Sequence, residues 1–494
     1  PNVFAAMRER VAKRARGQRA PVACIECVEA AVDRPFDDGL KRERELFEAC
    51  MASDESRALR HVFFAERAVG KVPGVAKDTA LKPIATAAVA GSGTMGTGIA
   101  MNFANAGIPV KLFDSDPAAL ARGMDTIGRN YAGSVARGSL AKNAADRALA
   151  LIAPVSDIAA FADVDMVIEA VFEDMPIKQE VFRTLDARCK PGAILATNTS
   201  YLDVDDIAAT VPGRAGDVLG THFFSPANVM RLLEIVRAGT ASPATLATVI
   251  DVGRRMRKIP VVAGVCHGFI GNRMLEGYFR EAGFLLEEGA MPAQVDAAIT
   301  AFGFPMGPFA VSDLAGLDVG WRKRKANAAK RDPARRYSPV ADRLCAAGRF
   351  GQKTGAGYYR YDKGDRTPVA DPMVDDVIAR AAKEQGIRRR AIPDDEIVER
   401  CLYPLVNEGA RILDEGIALR AGDIDIVWIN GYGFPAWRGG PMFWADAVGL
   451  AEVLAAVERF GRSHEYWEPA PLLARLVATG RRFADLDQAG AADA

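Results

Sequence analysis

The stretch 'VLGTHFFSPANVMRLLEIV', residues 218–236, places a histidine and a glutamate in apolar, strand-like surroundings. An ionised carboxylate among apolar neighbours costs free energy unless it is paired or hydrogen-bonded, so Glu234 needs a partner. His222 is the nearest candidate, because the loop marked by Pro226 lets one strand return beside the other. Such a pair holds one imidazole tautomer and stabilises the imidazolium, which suits a base that takes a proton from an alcohol. A structural histidine at a strand end is the alternative interpretation.

A glycine-rich turn, 'GSGTMG' at 91–96, follows an apolar strand and precedes a helical pattern. Gly91 permits the tight turn, Gly93 lets the backbone approach a pyrophosphate, and Gly96 allows close helix packing. Asp114 ends the next strand, where a carboxylate can hydrogen-bond the adenosine ribose and would repel a 2′-phosphate. The pattern therefore predicts NAD rather than NADP as cofactor, with a purely structural turn as the alternative. The turn residues assigned to the cofactor are Gly91, Gly93, Thr94, Met95 and Gly96.

Two further polar residues follow apolar runs. Ser200 ends 'ATNTS' after a strand, which is a usual place for active-site residues in an open α/β sheet. Asn272 lies in 'GFIGNRM' at the start of a helical pattern. A polar turn, a helix cap or buried packing would explain either residue without chemistry.

Composition limits the possible partners. Lys plus Arg and Asp plus Glu number 63 each, which gives no electrostatic reason to expect nucleic acid or an anionic membrane. No apolar stretch approaches the ~20 residues that span a bilayer. The seven cysteines include one CxxC, 'CIEC' at 24–27, without a second ligand pair, so we expect reduced thiols and no metal site.

The elements that must position these residues alternate between apolar runs and helical segments up to about residue 265, which predicts a mostly parallel sheet with helices on both faces. Long helical patterns precede and follow this part. The predicted domains are a helical segment (1–76), a linker (77–83), a Rossmann-type NAD-binding domain (84–264), a first all-α domain (265–362) and a second all-α domain (363–494).

The two all-α domains contain an internal repeat. 'GNRMLEGYFREAGFLLEEG' at 271–289 reappears as 'VERCLYPLVNEGARILDEG' at 398–416, and each copy is followed by a GFP tripeptide. Two copies in one chain can bury the face that a single copy would bury by dimerising, so we expect a monomer. The connecting stretch, 'GRFGQKTGAGYYRYDKGDRTPVADP', is turn-rich, and we expect it to be exposed.

Together, 'GSGTMGTGIA', 'VIEAVFED', 'TNTS', 'THFFSPA' with 'LLEIV', 'GFIGNRM' and 'GQKTGAGYY' resemble the L-3-hydroxyacyl-CoA dehydrogenases. The second helical copy resembles the type 1 multifunctional enzymes of fatty-acid oxidation. This resemblance implies oxidation of (3S)-3-hydroxyacyl-CoA to 3-ketoacyl-CoA, in a cleft between the sheet and the helical repeats. The implied catalytic residues are His222 as base, Glu234 as its partner, and Ser200 and Asn272 near the 3-oxygen. The implied further cofactor contacts are Glu173, Lys178 and Lys353.

The resemblance also sets expectations about the remaining chain. The N-terminal helices resemble the tail of an enoyl-CoA hydratase domain without its catalytic part, so we expect no hydratase or isomerase activity. An upstream hydratase domain before Pro1 and a thiolase are possible partners. The basic stretch 321–331 could meet CoA phosphates, although a solvated helix face is the simpler interpretation.

Two other functions stay open at this point. One is a dehydrogenase of a small free hydroxy acid, and the other is a non-catalytic NAD-binding scaffold of a β-oxidation complex. High Ala and Arg content, with a C-terminal 'AGAADA' that is no peroxisomal address, predict a bacterial cytoplasmic protein.

Overall fold

The computed structural model describes residues 2–15, 17–326 and 328–487. The chain divides into two compact units, each assembled from separate stretches of sequence. The helical unit comprises Pro1–Arg60, Met274–Arg411 and Gly433–Phe483, and the sheet unit comprises His61–Arg273, Ile412–Tyr432 and Ala484–Ala494. Pro1 and 488–494, the ends of the first and last predicted domains, lie outside the described residues.

The chain begins with helices, as predicted. They are α1 (Asn2–Arg14), α2 (Ala20–Asp33), α3 (Phe36–Met51) and α4 (Asp54–Ala68). Carboxylates favour a helix N-terminus, and α3 carries Asp37 and Asp38 in its first turn. None of the residues of α3 is buried, so this helix adds little apolar burial to its unit.

The sheet unit is built on eight strands. They are β1 (Ala87–Ala90), β2 (Val110–Phe113), β3 (Ile152–Val155), β4 (Met166–Glu169), β5 (Ile194–Thr197), β6 (Val218–Phe223), β7 (Leu232–Val236) and β8 (Ile259–Ala263). The connecting helices are α5 (Thr94–Asn105), α6 (Pro117–Ala136), α7 (Lys142–Ala150), α8 (Met175–Arg188), α9 (Val204–Ala208) and α10 (Pro243–Arg255). The strand order is β3-β2-β1-β4-β5-β6-β7-β8. All pairs are parallel except β6 with β7.

The strand order fixes where a dinucleotide can bind. β1 has β2 on one side and β4 on the other, so the connections that leave these strands diverge at their carboxyl ends. This divergence opens the crevice in which doubly wound sheets bind dinucleotides. The predicted fold class, a Rossmann-type sheet domain followed by helices, is confirmed.

The later helices form two series of five. The first series is α11 (Gly271–Glu288), α12 (Pro292–Phe302), α13 (Pro308–Ala315), α14 (Leu317–Ala326) and α15 (Val340–Ala346). After α16 (Pro372–Glu384), the second is α17 (Asp394–Asp414), α18 (Ala421–Gly431), α19 (Pro441–Val448), α20 (Leu450–Gly461) and α21 (Pro471–Ala478).

Ion pairs link the two copies reciprocally. The repeat places Arg273 opposite Arg400 and Glu288 opposite Glu415. In the structure, Arg273 Nη2 lies 2.8 Å from Glu415 Oε1, and Arg400 Nη2 lies 3.2 Å from Glu288 Oε1. Each arginine therefore pairs with the glutamate of the other copy, which is the pattern of a self-complementary contact.

The stretch between the copies is not uniformly exposed, so that expectation is wrong for its middle part. Tyr358, Tyr359 and Tyr361 are buried. The carboxylate of Asp313 accepts hydrogen bonds from the N–H of Tyr358 at 2.8 Å, the N–H of Tyr359 at 2.9 Å and the hydroxyl of Tyr361 at 2.9 Å. The sequence does not predict this burial, because the stretch is rich in turn residues. Its buried polar groups are satisfied by Asp313, which lies about 45 positions earlier in the chain.

None of the described helices is by itself long and apolar enough to cross a membrane. The bent pair Ala436–Val448 and Leu450–Gly461 reaches that length and apolarity only together, and its Met442, Trp444 and Val453 are buried. The described part of the chain also holds no group of three or more His, Cys, Asp or Glu residues suited to a metal ion.

Candidate active site

The glycine turn between β1 and α5 has the geometry that its sequence predicts. Gly91 has a φ of +107°, and a Cβ there would lie 2.5 Å from the carbonyl oxygen of Ala170. A Cβ on Gly96 would lie 1.8 Å from the carbonyl oxygen of Gly91. Gly93, by contrast, has open space within 4 Å and begins α5 without a side-chain cap. The turn thus leaves room, beside free helix N–H groups, for the pyrophosphate of a dinucleotide.

Asp114 lies directly after β2 and is tied to the same turn. Its Oδ2 accepts hydrogen bonds from the N–H of Ser92 at 2.8 Å and from the Ser92 hydroxyl at 2.7 Å, and its Oδ1 accepts one from the N–H of Asp116 at 3.0 Å. Partial burial acts to raise the pKa of Asp114, but these hydrogen bonds outweigh it and hold the pKa below its usual value. The carboxylate is therefore ionised and fixed beside the glycine turn.

The predicted contact between His222 and Glu234 is present. The two residues face each other directly in the antiparallel pair of β6 and β7. Nδ1 of His222 lies 2.7 Å from Oε2 of Glu234, and Oε1 of Glu234 accepts a hydrogen bond from the N–H of Gly271 at 3.0 Å. His222 is 5% exposed and Glu234 is 0% exposed. The buried carboxylate has a donor at each oxygen, which explains how an apolar strand tolerates it.

Aromatic rings surround the imidazole. The ring centroid of His222 lies 4.5 Å from that of Phe224 and 5.8 Å from that of Phe269. Phe224 in turn contacts Tyr432 edge to face, at 5.4 Å between centroids. This apolar wall lowers the local dielectric constant, which strengthens the interaction between the imidazole and its carboxylate.

Asn272 is joined to this cluster by a residue far away in sequence. The hydroxyl of Tyr432 donates to Oδ1 of Asn272 at 2.9 Å, and the Tyr432 ring stacks on Trp428 at 4.7 Å between centroids. Sequence reasoning missed Tyr432. Its only signal was its place in the turn that opens 'GYGFP' of the second copy.

Ser200 is held by Glu173 rather than by His222. Oε1 of Glu173 accepts hydrogen bonds from the Thr199 hydroxyl at 2.7 Å, the Ser200 N–H at 2.7 Å and the Tyr201 N–H at 3.1 Å. Glu173 thereby fixes the conformation of the loop after β5. The Ser200 hydroxyl has no hydrogen-bond partner among the described residues.

Lys178 is completely buried, and its ammonium contacts two carboxylates. It lies 2.7 Å from Oε1 of Glu169 and 3.5 Å from Oε2 of Glu173. Oε2 of Glu169 also accepts a hydrogen bond from the Thr197 hydroxyl at 2.7 Å. Sequence reasoning missed Glu169, although it raises the same question as Glu234, being a carboxylate at the end of an apolar strand.

Lys353 lies in the helical unit, where its ammonium pairs with Asp318. In the basic stretch, Arg322 also pairs with Asp318, Lys323 with Glu276 and Arg324 with Asp342. These three cations of the basic stretch are thus paired with carboxylates of the protein itself. The assignment of Lys353 to the cofactor stays a prediction.

Comparison with known proteins agrees with this geometry. Residues 86–266 match the NAD binding domain of 3-hydroxyacyl-CoA dehydrogenase, and residues 268–361 and 397–488 both match its C-terminal domain. The double match to one domain supports the internal repeat.

Relatives and solved structures point the same way. The peroxisomal bifunctional enzyme of Cavia porcellus is 45% identical over 97% of this chain and 69% of its own length, and that of Homo sapiens is 44% identical with the same coverage. The dehydrogenase part of multifunctional enzyme 1 from C. elegans is 30% identical, with a TM-score of 0.64 over 84% of this chain and 96% of its own. A 3-hydroxybutyryl-CoA dehydrogenase from Escherichia coli is 28% identical, with a TM-score of 0.70 over 81% of this chain and 99% of its own.

The curated relatives found by sequence overturn the predicted bacterial cytoplasmic location. They are named peroxisomal enzymes of animals and plants, and a further one from Cucumis sativus is named glyoxysomal. The prediction was wrong because composition reflects the balance of core and surface and carries no address for a compartment. The C-terminal residues on which it also drew, 489–494, lie outside the described residues.

The glycine turn with Asp114, the buried imidazole paired with a carboxylate and the matched domains lead to one conclusion. The chain belongs to the 3-hydroxyacyl-CoA dehydrogenase family, whose NAD-dependent oxidation of hydroxyacyl-CoA in fatty-acid β-oxidation it shares.

Proposed function

We propose that this chain acts on the (3S) isomer of 3-hydroxyacyl-CoA, with His222 as the base that takes the proton of the 3-hydroxyl. The observation that carries the proposal is the buried His222–Glu234 pair, in the same unit as the glycine turn. Among the described residues, no other histidine faces a buried strand carboxylate in this way.

The contacts of Glu234 support one tautomer of His222. Because Oε2 of the Glu234 carboxylate is the acceptor in this contact, Nδ1 of the imidazole carries the hydrogen. The lone pair is then on Nε2, which has no partner among the described residues and is free to accept the hydroxyl proton. As the imidazole gains charge, the adjacent carboxylate stabilises it.

The residues of the turn fit NAD. Gly91, Gly93 and Gly96, with Thr94 and Met95 at the start of α5, would hold the pyrophosphate, and Asp114 would accept hydrogen bonds from the adenosine ribose. When bound, NAD supplies the acceptor for the hydride that leaves C3 of the substrate. Glu173 and Lys178 would hold the loop beside the nicotinamide half.

Asn272 and Ser200 would support the charge on the 3-oxygen. Since Tyr432 donates to Oδ1 of Asn272, the amide NH2 of that residue is left to donate to the substrate. The Ser200 hydroxyl is available for the same purpose. Two preorganised donors at a developing negative charge lower the barrier in the way of an oxyanion hole.

We also propose that the chain is a monomer and lacks hydratase activity. The internal repeat and its reciprocal ion pairs favour the monomer, and light scattering at the mass of one chain would support it. A thiolase and an upstream hydratase domain stay possible partners. Hydration of crotonyl-CoA by this chain would contradict the second proposal.

The decisive experiment follows NADH absorbance with acetoacetyl-CoA, beside parallel runs with NADPH and with free acetoacetate. Rapid oxidation of NADH with the CoA ester alone is the expected result. Equal turnover of free acetoacetate would favour a small hydroxy acid dehydrogenase, and NADH binding without turnover would favour the scaffold.

The variant His222→Gln tests the role of the base. Turnover should fall by about 10²- to 10⁴-fold while NADH still binds, since general-base catalysis contributes a factor of that size. His464→Gln, which changes a histidine of the helical unit, is the matched control and should keep wild-type turnover. Preserved turnover in His222→Gln would refute the assignment.

A further inference from the structure

The loop between β6 and β7, residues 224–231, joins the strands that carry His222 and Glu234. Most of its surface is open, because Ser225, Pro226 and Val229 are exposed. Two of its residues are buried: Phe224, which packs on the ring of His222, and Ala227, at 1% exposed in the middle of the loop. The groups that bind Ala227 therefore also hold the turn of the hairpin that carries His222 and Glu234.

Two side chains from elsewhere in the sheet unit bind the carbonyl oxygen of Ala227. Nζ of Lys258, just before β8, donates to it at 2.5 Å, and Nδ2 of Asn102, on α5, donates at 2.9 Å. Lys258 also donates to the carbonyl oxygen of Met230 at 2.7 Å. Both lone pairs of the Ala227 oxygen are thus engaged, and the ammonium links the middle of the loop to its C-terminal part.

Lys258 is unusual in its surroundings. It is 8% exposed and has no carboxylate within ion-pair distance among the described residues, so carbonyl oxygens alone compensate its charge. Burial lowers the pKa of Lys258 to about 8. Burying an ammonium without a counter-ion costs free energy, and an apolar residue at this position would avoid that cost. The lysine is therefore not explained by the stability of the fold alone.

The helix α5 also approaches Ala227 closely. A Cβ on Gly98 would lie 2.9 Å from the Cβ of Ala227 and 3.1 Å from the N of Asn228. Only a glycine permits this approach without a shift. The helix that begins at the cofactor turn therefore packs directly on the loop that follows His222.

We propose that Lys258 and Asn102 are positioning residues that lock the His222 hairpin to the cofactor helix α5. The proposal deepens the function proposed above and depends on it. By fixing Ala227, the two residues set the place of the Nε2 of His222 relative to the cofactor turn. They do not touch the reacting atoms, so they act on the rate and not on the identity of the reaction.

Lys258→Met tests the proposal, because methionine fills a similar volume without a donor. We expect kcat to fall by about 10- to 100-fold, since a displacement of about 1 Å can cost that much, while the Kd of NADH stays unchanged. The kinetic isotope effect with NADH deuterated at C4 should rise, because hydride transfer then limits the rate. A variant that is merely less stable would lose active enzyme without a change in the isotope effect.

Lys82→Met is the matched control. Nζ of Lys82 also lies in the sheet unit and donates to a carbonyl oxygen, that of Gly192, at 3.0 Å. Its loss should leave kcat and the isotope effect unchanged. Asn102→Ala removes one of the two hydrogen bonds to Ala227 and should shift both quantities in the same direction as Lys258→Met, which keeps the test valid if the latter does not fold.

The outcomes separate the two proposals. Absence of turnover in the wild-type chain would refute the proposed function and this inference with it. Wild-type turnover together with wild-type kcat and isotope effect in Asn102→Ala and in any folded Lys258→Met would refute the inference alone. An equal loss in Lys82→Met would also overturn it.

Discussion

Replacing Glu234 by glutamine changes one atom of the buried pair and should disable the base. Each carboxylate oxygen accepts one hydrogen bond, from His222 Nδ1 at 2.7 Å and from the N–H of Gly271 at 3.0 Å. An amide has one oxygen, so it can satisfy only one of these donors. If its NH2 turns towards His222, the imidazole must carry its hydrogen on Nε2, where it can no longer accept the substrate proton.

The magnitude follows from the two orientations of the amide. Turning the oxygen towards His222 leaves the buried N–H of Gly271 unpaired, which costs about 1–3 kcal/mol, so the unreactive tautomer dominates by about 10- to 100-fold. Exchange of a charged for a neutral acceptor removes about 1 kcal/mol more from the imidazolium, or about fivefold in rate. Together they predict a fall in kcat of about 50- to 500-fold.

The assay is kcat with acetoacetyl-CoA and NADH at saturation, with NADH binding followed by fluorescence. Glu180→Gln, on the exposed face of α8, is the matched control and should keep wild-type kcat. A Glu234→Gln variant with wild-type kcat would refute the orienting role of Glu234. So would a loss that is explained entirely by weaker NADH binding.

Three further predictions concern the cofactor, a buried ion pair and pH. Asp114→Ser removes the charge that would repel a 2′-phosphate, so the ratio of kcat/KM for NADH over NADPH should fall by about tenfold or more. Arg400→Met leaves buried carboxylates unpaired and should lower the free energy of unfolding in urea by about 3–5 kcal/mol. Arg343→Met, which breaks an exposed pair, should leave the free energy of unfolding almost unchanged. Burial raises the pKa of Asp423 to about 7, so the folded state binds its proton more tightly than the unfolded state. Its contribution to stability is complete below about pH 4 and lost as pH rises through 7, and urea unfolding of Asp423→Asn should lack that decline.

The parts of the site that could be predicted are local in sequence. The His222–Glu234 contact follows from one strand, one loop and one returning strand, because an ionisable residue in an apolar strand must find its partner there. The turn of Gly91, Gly93 and Gly96 follows from a strand and a helix joined directly. In both cases the chain segment between the residues is short, so few backbone conformations can connect them.

The parts that could not be predicted join distant segments. Tyr432 reaches Asn272 across 160 positions, and Lys258 reaches Ala227 across the return of β7. Before the strand order is known, Lys258 reads as an ordinary charged residue at a strand end. Lys178 is assigned to the cofactor by resemblance alone, and the sequence does not show that it is buried with its ammonium 2.7 Å from Oε1 of Glu169 at the end of β4.

In the internal repeat, the residues that form the stabilising ion pairs are the same in both copies, whereas the residue proposed to contact the substrate is present in only one. Arg273 and Arg400 occupy the same position of the two copies, and both form the reciprocal ion pair. The residue before each differs: Asn272 precedes the first arginine, whereas Glu399 precedes the second and lies 2.5 Å from Arg459. A glutamate engaged with an arginine cannot donate to a developing negative charge, so the second copy can pack like the first without taking part in the reaction. Under the proposed function, duplication thus supplies a second packing surface without a second donor equivalent to Asn272.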